Sequence, residues 1–258
     1  VHFDVSPAVP VSGPRGETGF LLVVDEFTGM WLIYLLRSKS EVSGLLEAFR
    51  SMAENHFQCE VGAVHRLAAM RSDGAGENDS DEVRAWCSKH GIVHELSAPS
   101  TQWQNGTVER AMQTLWQGAE ATRLAAGAPK AAWPYAVAHF VGVRNLLPLA
   151  SVEVSPSERW HGYREPFIKR TSHLRVWGCL AYFHVPKEAR KKLEPRAAAC
   201  IYVGFSSRIN EGAPWHRHCH GARAQVRVGA LPRGFSAVDA PCYRGRRWCW
   251  LGANAVAR

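Results

Sequence analysis

No stretch of the 258 residues is apolar enough to cross a bilayer; the strongest candidate, 131–147, is interrupted by Pro134, His139 and Arg144. No charged start followed by an apolar run marks a secretory leader, and no internal repeat points to a solenoid or propeller. There is no Gly-x-Ser-x-Gly nucleophile turn, no Gly-rich phosphate loop and no paired-cysteine metal motif. Those absences remove the common routes to serine hydrolases, nucleotide-binding enzymes and zinc modules. The seven cysteines, at 59, 87, 179, 200, 219, 242 and 249, are odd in number and irregular in spacing. Such usage argues against a disulfide framework and for a reducing compartment. His56-x-x-Cys59 with Cys87-x-x-His90 has the spacing of a zinc site, but both pairs fall in or beside expected helices, where buried thiols and surface histidines are the expected outcome. The same holds for His216, His218, Cys219 and His220. Because the chain starts at Val1 and not at Met, it is expected to be a segment of something longer.

Lysine is missing from residues 205–258, which carry nine arginines against only Glu211 and Asp239. Residues 1–204 hold 22 Lys and Arg against 21 Asp and Glu, so the formal charge of +8 comes almost wholly from the tail. A basic surface is a recognised footprint of nucleic-acid binding, but here the core has to establish that partner through its motifs. At 46% apolar and 21% charged residues, the chain has the composition of a folded protein.

The hydrophobic pattern gives an order of elements. Residues 20–24 form an apolar run ending in Asp25-Glu26, and 31–36 form a second after a turn at Thr28-Gly29; both are expected strands. From Ser40 the period changes: Val42, Leu45, Leu46, Phe49 and Met52 recur at three and four residues, which marks a helix with Ser40 as its N-cap. A strand is expected over 63–70, a short helix around Val83, Trp86 and Cys87, and a strand over 91–95. A polar loop over 97–106 then opens a helix over 107–124, and a further helix spans 130–146 with Trp133, Val137, Phe140 and Val141 on one face and Pro134 in its first turn. With a short opening strand at 2–5, this order suits an α/β fold, a mixed sheet covered by helices. Residues 1–150 form this core, 151–172 a linker, and 173–207 a small β-rich unit with strands at 174–185 and 198–205 around a basic run at 187–192. In 208–258 neither helical nor strand period survives.

Three acids stand out by context. Asp4 lies on the opening strand, Asp73 ends a strand just before Gly74-Ala75-Gly76, and Glu109 sits in the first turn of the helix introduced by Gln104-Asn105-Gly106. Two strand acids and one helix acid can converge at the edge of a sheet. Clustered carboxylates oppose one another's ionisation, and divalent cations such as Mg²⁺ or Mn²⁺ remove that conflict. Two such ions can activate an attacking oxygen and stabilise the leaving oxygen of a phosphodiester.

Thirty-five residues lie between Asp73 and Glu109. The surrounding words are Val24-Asp25-Glu26-Phe27, Arg71-Ser72-Asp73-Gly74 with Glu77, Gly91-Ile92-Val93-His94-Glu95 and Gln104-Asn105-Gly106-Thr107-Val108-Glu109-Arg110. Further on come Trp133 with Asn145-Leu146-Leu147-Pro148, Pro156-Ser157-Glu158-Arg159-Trp160, Trp177-Gly178-Cys179-Leu180-Ala181-Tyr182, and Arg190-Lys191-Lys192-Leu193 with Tyr202-Val203-Gly204-Phe205. In that order and with that spacing, residues 1 to about 206 resemble the copia-type branch of the retroviral and retrotransposon integrase family. The resemblance implies a ribonuclease-H-like sheet flanked by helices, followed by a small β-barrel-like unit within a polyprotein. It also implies two Mg²⁺ or Mn²⁺ ions held by Asp4, Asp73 and Glu109, with Asp4 bridging both. The implied activity is trimming of DNA 3′ ends and their transfer into target DNA by a homo-oligomer acting in the nucleus. Asp25 is the alternative for the first acid, its other role being to cap the hairpin turn.

On the helix after Gly106, Val108, Met112, Leu115 and Ala119 make the inward stripe, while Glu109, Gln113 and Gln117 share an adjacent one. DNA contacts are expected from Arg71 and Arg110 beside the acids, from Gln113 and Gln117 along the helix, and from Gln104 and Asn105 in the loop. Three departures from the pattern stand against activity: the zinc-binding His/Cys module expected before the core is missing from this sequence, Trp103 stands where the family usually has proline, and the tail beyond Ser207 loses all resemblance. The tail's composition suggests a shifted reading frame, with an Arg-rich nucleic-acid-binding segment as the alternative. A catalytically inactive or co-opted remnant that binds nucleic acid is the competing functional expectation.

Overall fold

A computed structural model describes residues 1–56, 66–74, 76, 78–96, 102–148, 153–162, 171–172, 174–184, 192, 195–204, 241–244 and 247–250. The core is a five-stranded mixed sheet in the order β3-β2-β1-β4-β5. Its strands are β1 (His2–Val5), β2 (Gly19–Val24), β3 (Trp31–Leu36), β4 (Ala69–Ser72) and β5 (Val93–Leu96). β1, β2 and β3 pair antiparallel, whereas β1, β4 and β5 run parallel. The helices are α1 (Val42–His56), α2 (Asp81–His90), α3 (Gln102–Ala125), α4 (Trp133–Leu146) and the short α5 (Pro156–His161). None of the described helices is long and apolar enough to cross a membrane.

β2 is buried along its whole length, as an apolar run with a helix layer on each side requires. Its alternate side chains feed two separate cores. Leu21 and Val23 join Phe3, Val5, Leu46, Phe49, Val83 and Trp86 under α1 and α2. Phe20, Leu22 and Val24 join Val108, Leu115, Trp133, Val137 and Val141 under α3 and α4. Each fully buried side chain of this size contributes roughly 1.5–3 kcal/mol, so the central strand anchors both layers. The expected inward stripe of α3 (Val108, Met112, Leu115 and Ala119) is buried. On α4, Trp133, Val137 and Val141 are buried and Phe140 packs partly buried against the same core.

Polar groups close the element ends. Ser80 caps α2 by accepting from the Val83 N–H, and Gly91 ends the helix in the left-handed region at φ 66°. Ser155 and Glu158 form a reciprocal capping box on α5, which seats Trp160 in the first core. Asn145 on α4 accepts from the Trp31 N–H at 3.0 Å and donates to the Trp31 carbonyl at 2.6 Å, and Arg144 lies over the Trp31 ring.

Several sequence expectations are corrected. The cap before α1 is Ser38 and not Ser40, because a 3₁₀ turn at Lys39–Glu41 precedes the helix. β4 begins at Ala69, while residues 66–68 are irregular and 63–65 lie outside the described residues. α3 starts at Gln102, so Gln104, Asn105 and Gly106 belong to a helix and not to a loop, and Glu109 sits in the second helical turn. Beyond the five-stranded sheet, β6 (Leu180–His184) pairs antiparallel with β7 (Ala197–Ile201). Residues 174–179 are not strand: Gly178 takes φ 82°, and a Cβ there would collide with the Ala126 Cβ. Residues 202–204, expected to extend β7, are not strand either. The tail contains an antiparallel hairpin of β8 (Pro241–Arg244) and β9 (Arg247–Trp250), where no strand period was expected. Glu77, Cys59, the basic residues 187–191 and the rest of 208–258 lie outside the described residues.

Candidate active site

β1 and β4 are adjacent and parallel, with His2 opposite Arg71. Carrying that register two residues on sets Asp4 opposite Asp73, which directly follows β4. Neighbouring strands stand about 4.8 Å apart, so backbone geometry alone brings the two acids to one edge of the sheet. Side-chain alternation selects the face. Phe3 and Val5 point into the core under α1 and α2, which leaves Asp4, registered with Leu22, on the α3 side.

One side chain joins the pair. Asn78, 1% exposed, donates from Nδ2 to Asp4 Oδ1 at 3.0 Å and to Asp73 Oδ1 at 2.6 Å. Its own Oδ1 is buried and meets no hydrogen-bond partner. Burial pushes the Asp4 carboxyl up to about 6; the Asn78 donor opposes that rise, and the charges of Asp73 and, more weakly, Glu109 add to it. Sequence reasoning missed Asn78, since nothing in Glu77-Asn78-Asp79 distinguishes it from a surface turn.

Glu109 is exposed on α3, next to the buried Val108, and its charge reaches Asp4. Yet among the described residues no three His, Cys, Asp or Glu side chains are grouped closely enough to hold one metal ion. Asp4 and Asp73 are therefore brought together, and Glu109 stands near them without completing a cluster. Asp25, the alternative first acid, is occupied otherwise: its Oδ2 accepts from the Thr28 N–H at 2.9 Å and the Thr28 hydroxyl at 2.6 Å, capping the turn between β2 and β3.

The expected DNA-contacting residues lie on α3 and β4. Arg110, Gln113 and Gln117 are exposed along α3, and the backbone of Gln104 and Asn105 continues that helix towards its start. Arg71 is held by Glu95 on the neighbouring strand through two hydrogen bonds, the Nε one at 3.0 Å. A phosphate at Arg71 has to compete with that carboxylate.

Comparison with known proteins agrees with the motif order. Residues 179–210 match the retroviral polymerase SH3-like domain. The chain is 32% identical over 205 residues to the retrovirus-related Pol polyprotein from transposon TNT 1-94 of Nicotiana tabacum, covering 80% of this chain and 15% of that protein. It is likewise 32% identical over 209 residues to the Pol polyprotein from transposon RE2 of Arabidopsis thaliana, covering 80% and 13%. The match to transposon RE1 of the same plant is 32% over 190 residues, covering 72% and 12%. The chain thus spans less than a sixth of the length of these relatives. A chain in the cryo-EM structure of the simian T-cell lymphotropic virus intasome in complex with PP2A regulatory subunit B56 gamma aligns with a TM-score of 0.48 at 16% identity, over 78% of this chain and 67% of that one. By its sequence, the chain is a homologue of the retrovirus-related Pol polyproteins of plant copia-type transposons.

Proposed function

We propose that this chain carries the ribonuclease-H-like catalytic core of an integrase, which trims DNA 3′ ends and joins them to target DNA with Mg²⁺ or Mn²⁺. The observation that carries the reading is the pairing of Asp4 and Asp73 at one sheet edge through a single buried amide. The donor chemistry fits a hard divalent cation: two carboxylates converge, one of them strained by burial and by its neighbour's charge, beside an amide oxygen with no partner. Asp4 and Asp73 would hold the cations, with Glu109 as the third acid. When bound, two such ions activate an attacking oxygen and stabilise the leaving one. The chain's own part is to fix the two acids by strand register and to offer an exposed α3 face. There Arg110, Gln113 and Gln117 would track the phosphate backbone. The natural partners are element ends and target DNA, engaged by a homo-oligomer in the nucleus.

A second reading, a DNA-binding remnant without activity, draws on the absence of a three-acid cluster among the described residues. A strand-transfer assay with labelled DNA ends separates the two. Integrase activity gives joined products that require Mg²⁺ or Mn²⁺ and disappear in Asp73→Asn and Glu109→Gln. Cleaved but unjoined DNA would indicate a related nuclease, and DNA binding without either product would favour the remnant.

A further inference from the structure

The carboxylates of Asp4 on β1 and Asp73, just after β4, share one hydrogen-bond donor, and that donor is a neutral amide. Asn78 is buried at 1% exposure, donates from one nitrogen to both acids, and leaves its own oxygen without a partner. A buried amide oxygen without a hydrogen bond is costly, and the two donated bonds are its visible compensation. The reverse orientation would set an amide oxygen against two carboxylate oxygens, which is repulsive unless a cation lies among them.

We infer that Asn78 is a positioning residue that stands in for a divalent cation, holding the Asp4 and Asp73 carboxylates together with its Nδ2 and giving way when a metal ion enters. The inference rests on the metal-dependent reading above. The pairing of β1 with β4 sets where the two acids leave the backbone, so removing the amide keeps both acids at one sheet edge but takes away the donor that holds their carboxylates together. Asn78 therefore competes with the cation: it stabilises the metal-free fold and weakens metal binding by about the worth of one charge-assisted hydrogen bond, roughly tenfold.

The test uses the 258-residue chain, Mn²⁺ and Mg²⁺, and no DNA. Unfolding midpoints in EDTA and in saturating Mn²⁺ are compared for the wild type, Asn78→Ala and Asn78→Asp, with Mn²⁺ affinity taken from calorimetry. Both variants are expected to unfold earlier in EDTA and to gain more from Mn²⁺ than the wild type; Asn78→Ala, which removes the amide without adding a ligand, is expected to bind it about tenfold more tightly. The unaltered protein provides a second measure that does not depend on a variant folding. Its Asn78 side-chain ¹⁵N resonances, assigned by their loss in Asn78→Asp, are expected to shift on saturation with Mg²⁺. An equal Mn²⁺ gain in wild type and variants, or unmoved Asn78 resonances at saturation, overturns this inference and leaves the metal reading standing. No Mn²⁺ response in any form overturns both.

Discussion

Asp4 on β1 and Asp73, directly after the parallel β4, share one edge of the sheet and one hydrogen-bond donor, the Asn78 amide. Burial raises the cost of ionising Asp4, and the charge of Asp73 adds to it.

The first prediction follows from that cost. Asp4 takes up a proton near pH 6 in the folded chain, against 3.8 for an ordinary aspartate. The folded state binds the extra proton between those values, so this contribution to stability is fully present below about pH 4 and is lost as pH rises through about 6. In EDTA, an uncharged Asp4→Asn should gain stability relative to wild type across that window, by up to about 3 kcal/mol. Urea unfolding at several pH values measures the difference. A difference that stays flat with pH contradicts the assignment.

The second concerns the edge of the sheet. Asn145 satisfies both backbone groups of Trp31 as a sixth strand would, from a buried position on α4. Asn145→Ala leaves a buried N–H and C=O unmet, and should cost about 2–4 kcal/mol. Asn145→Asp can still accept from the N–H but cannot donate to the carbonyl, and should also destabilise. Thermal unfolding distinguishes these expectations from a silent surface change.

Gly118 gives a third. It lies on α3 where α4 crosses, and a Cβ there would run into the ring of Phe140. Helix propensity alone favours Gly118→Ala by roughly 1 kcal/mol, whereas overpacking costs about 1–3 kcal/mol. Net destabilisation is expected, and Phe140→Leu in the same chain should relieve it. A stabilised Gly118→Ala would show that the helices have room to part.

For DNA, Arg110 and Arg71 should behave differently. Arg110 is exposed beside Glu109, and Arg110→Ala should lower the salt dependence of DNA binding by about one unit of slope. Arg71 is already paired with Glu95, so Arg71→Ala should change affinity less, and Glu95→Gln should strengthen binding by freeing the guanidinium. Binding titrations at several salt concentrations resolve both.

The strands and the α3 stripe were legible because burial writes itself into period. Phe20 to Val24 is an uninterrupted apolar run, and β2 lies between two helix layers. Asp25, Thr28 and Gly29 announced their turn by residue type alone. The start of α3 was not legible, because Asn105-Gly106 is a strong local turn signal that the surrounding helix overrides. The start of β6 was hidden for a tertiary reason: Gly178 lies tight against Ala126, a neighbour that only the fold supplies. At the site, Asp4 and Asp73 could be named from motif and spacing, but their meeting depends on the β1–β4 register. Asn78 depends on the turn that follows, and neither leaves a trace in local pattern.

The central claim is that Asp4 and Asp73 form the seat of a divalent cation. Crystals of the chain grown with Mn²⁺ and measured at the manganese absorption edge test it most directly. The account predicts an anomalous peak within coordination distance of both carboxylates, with Asn78 Nδ2 no longer bonded to the pair. Bound manganese found only elsewhere, with the Asn78 bridge intact at saturating metal, would contradict it.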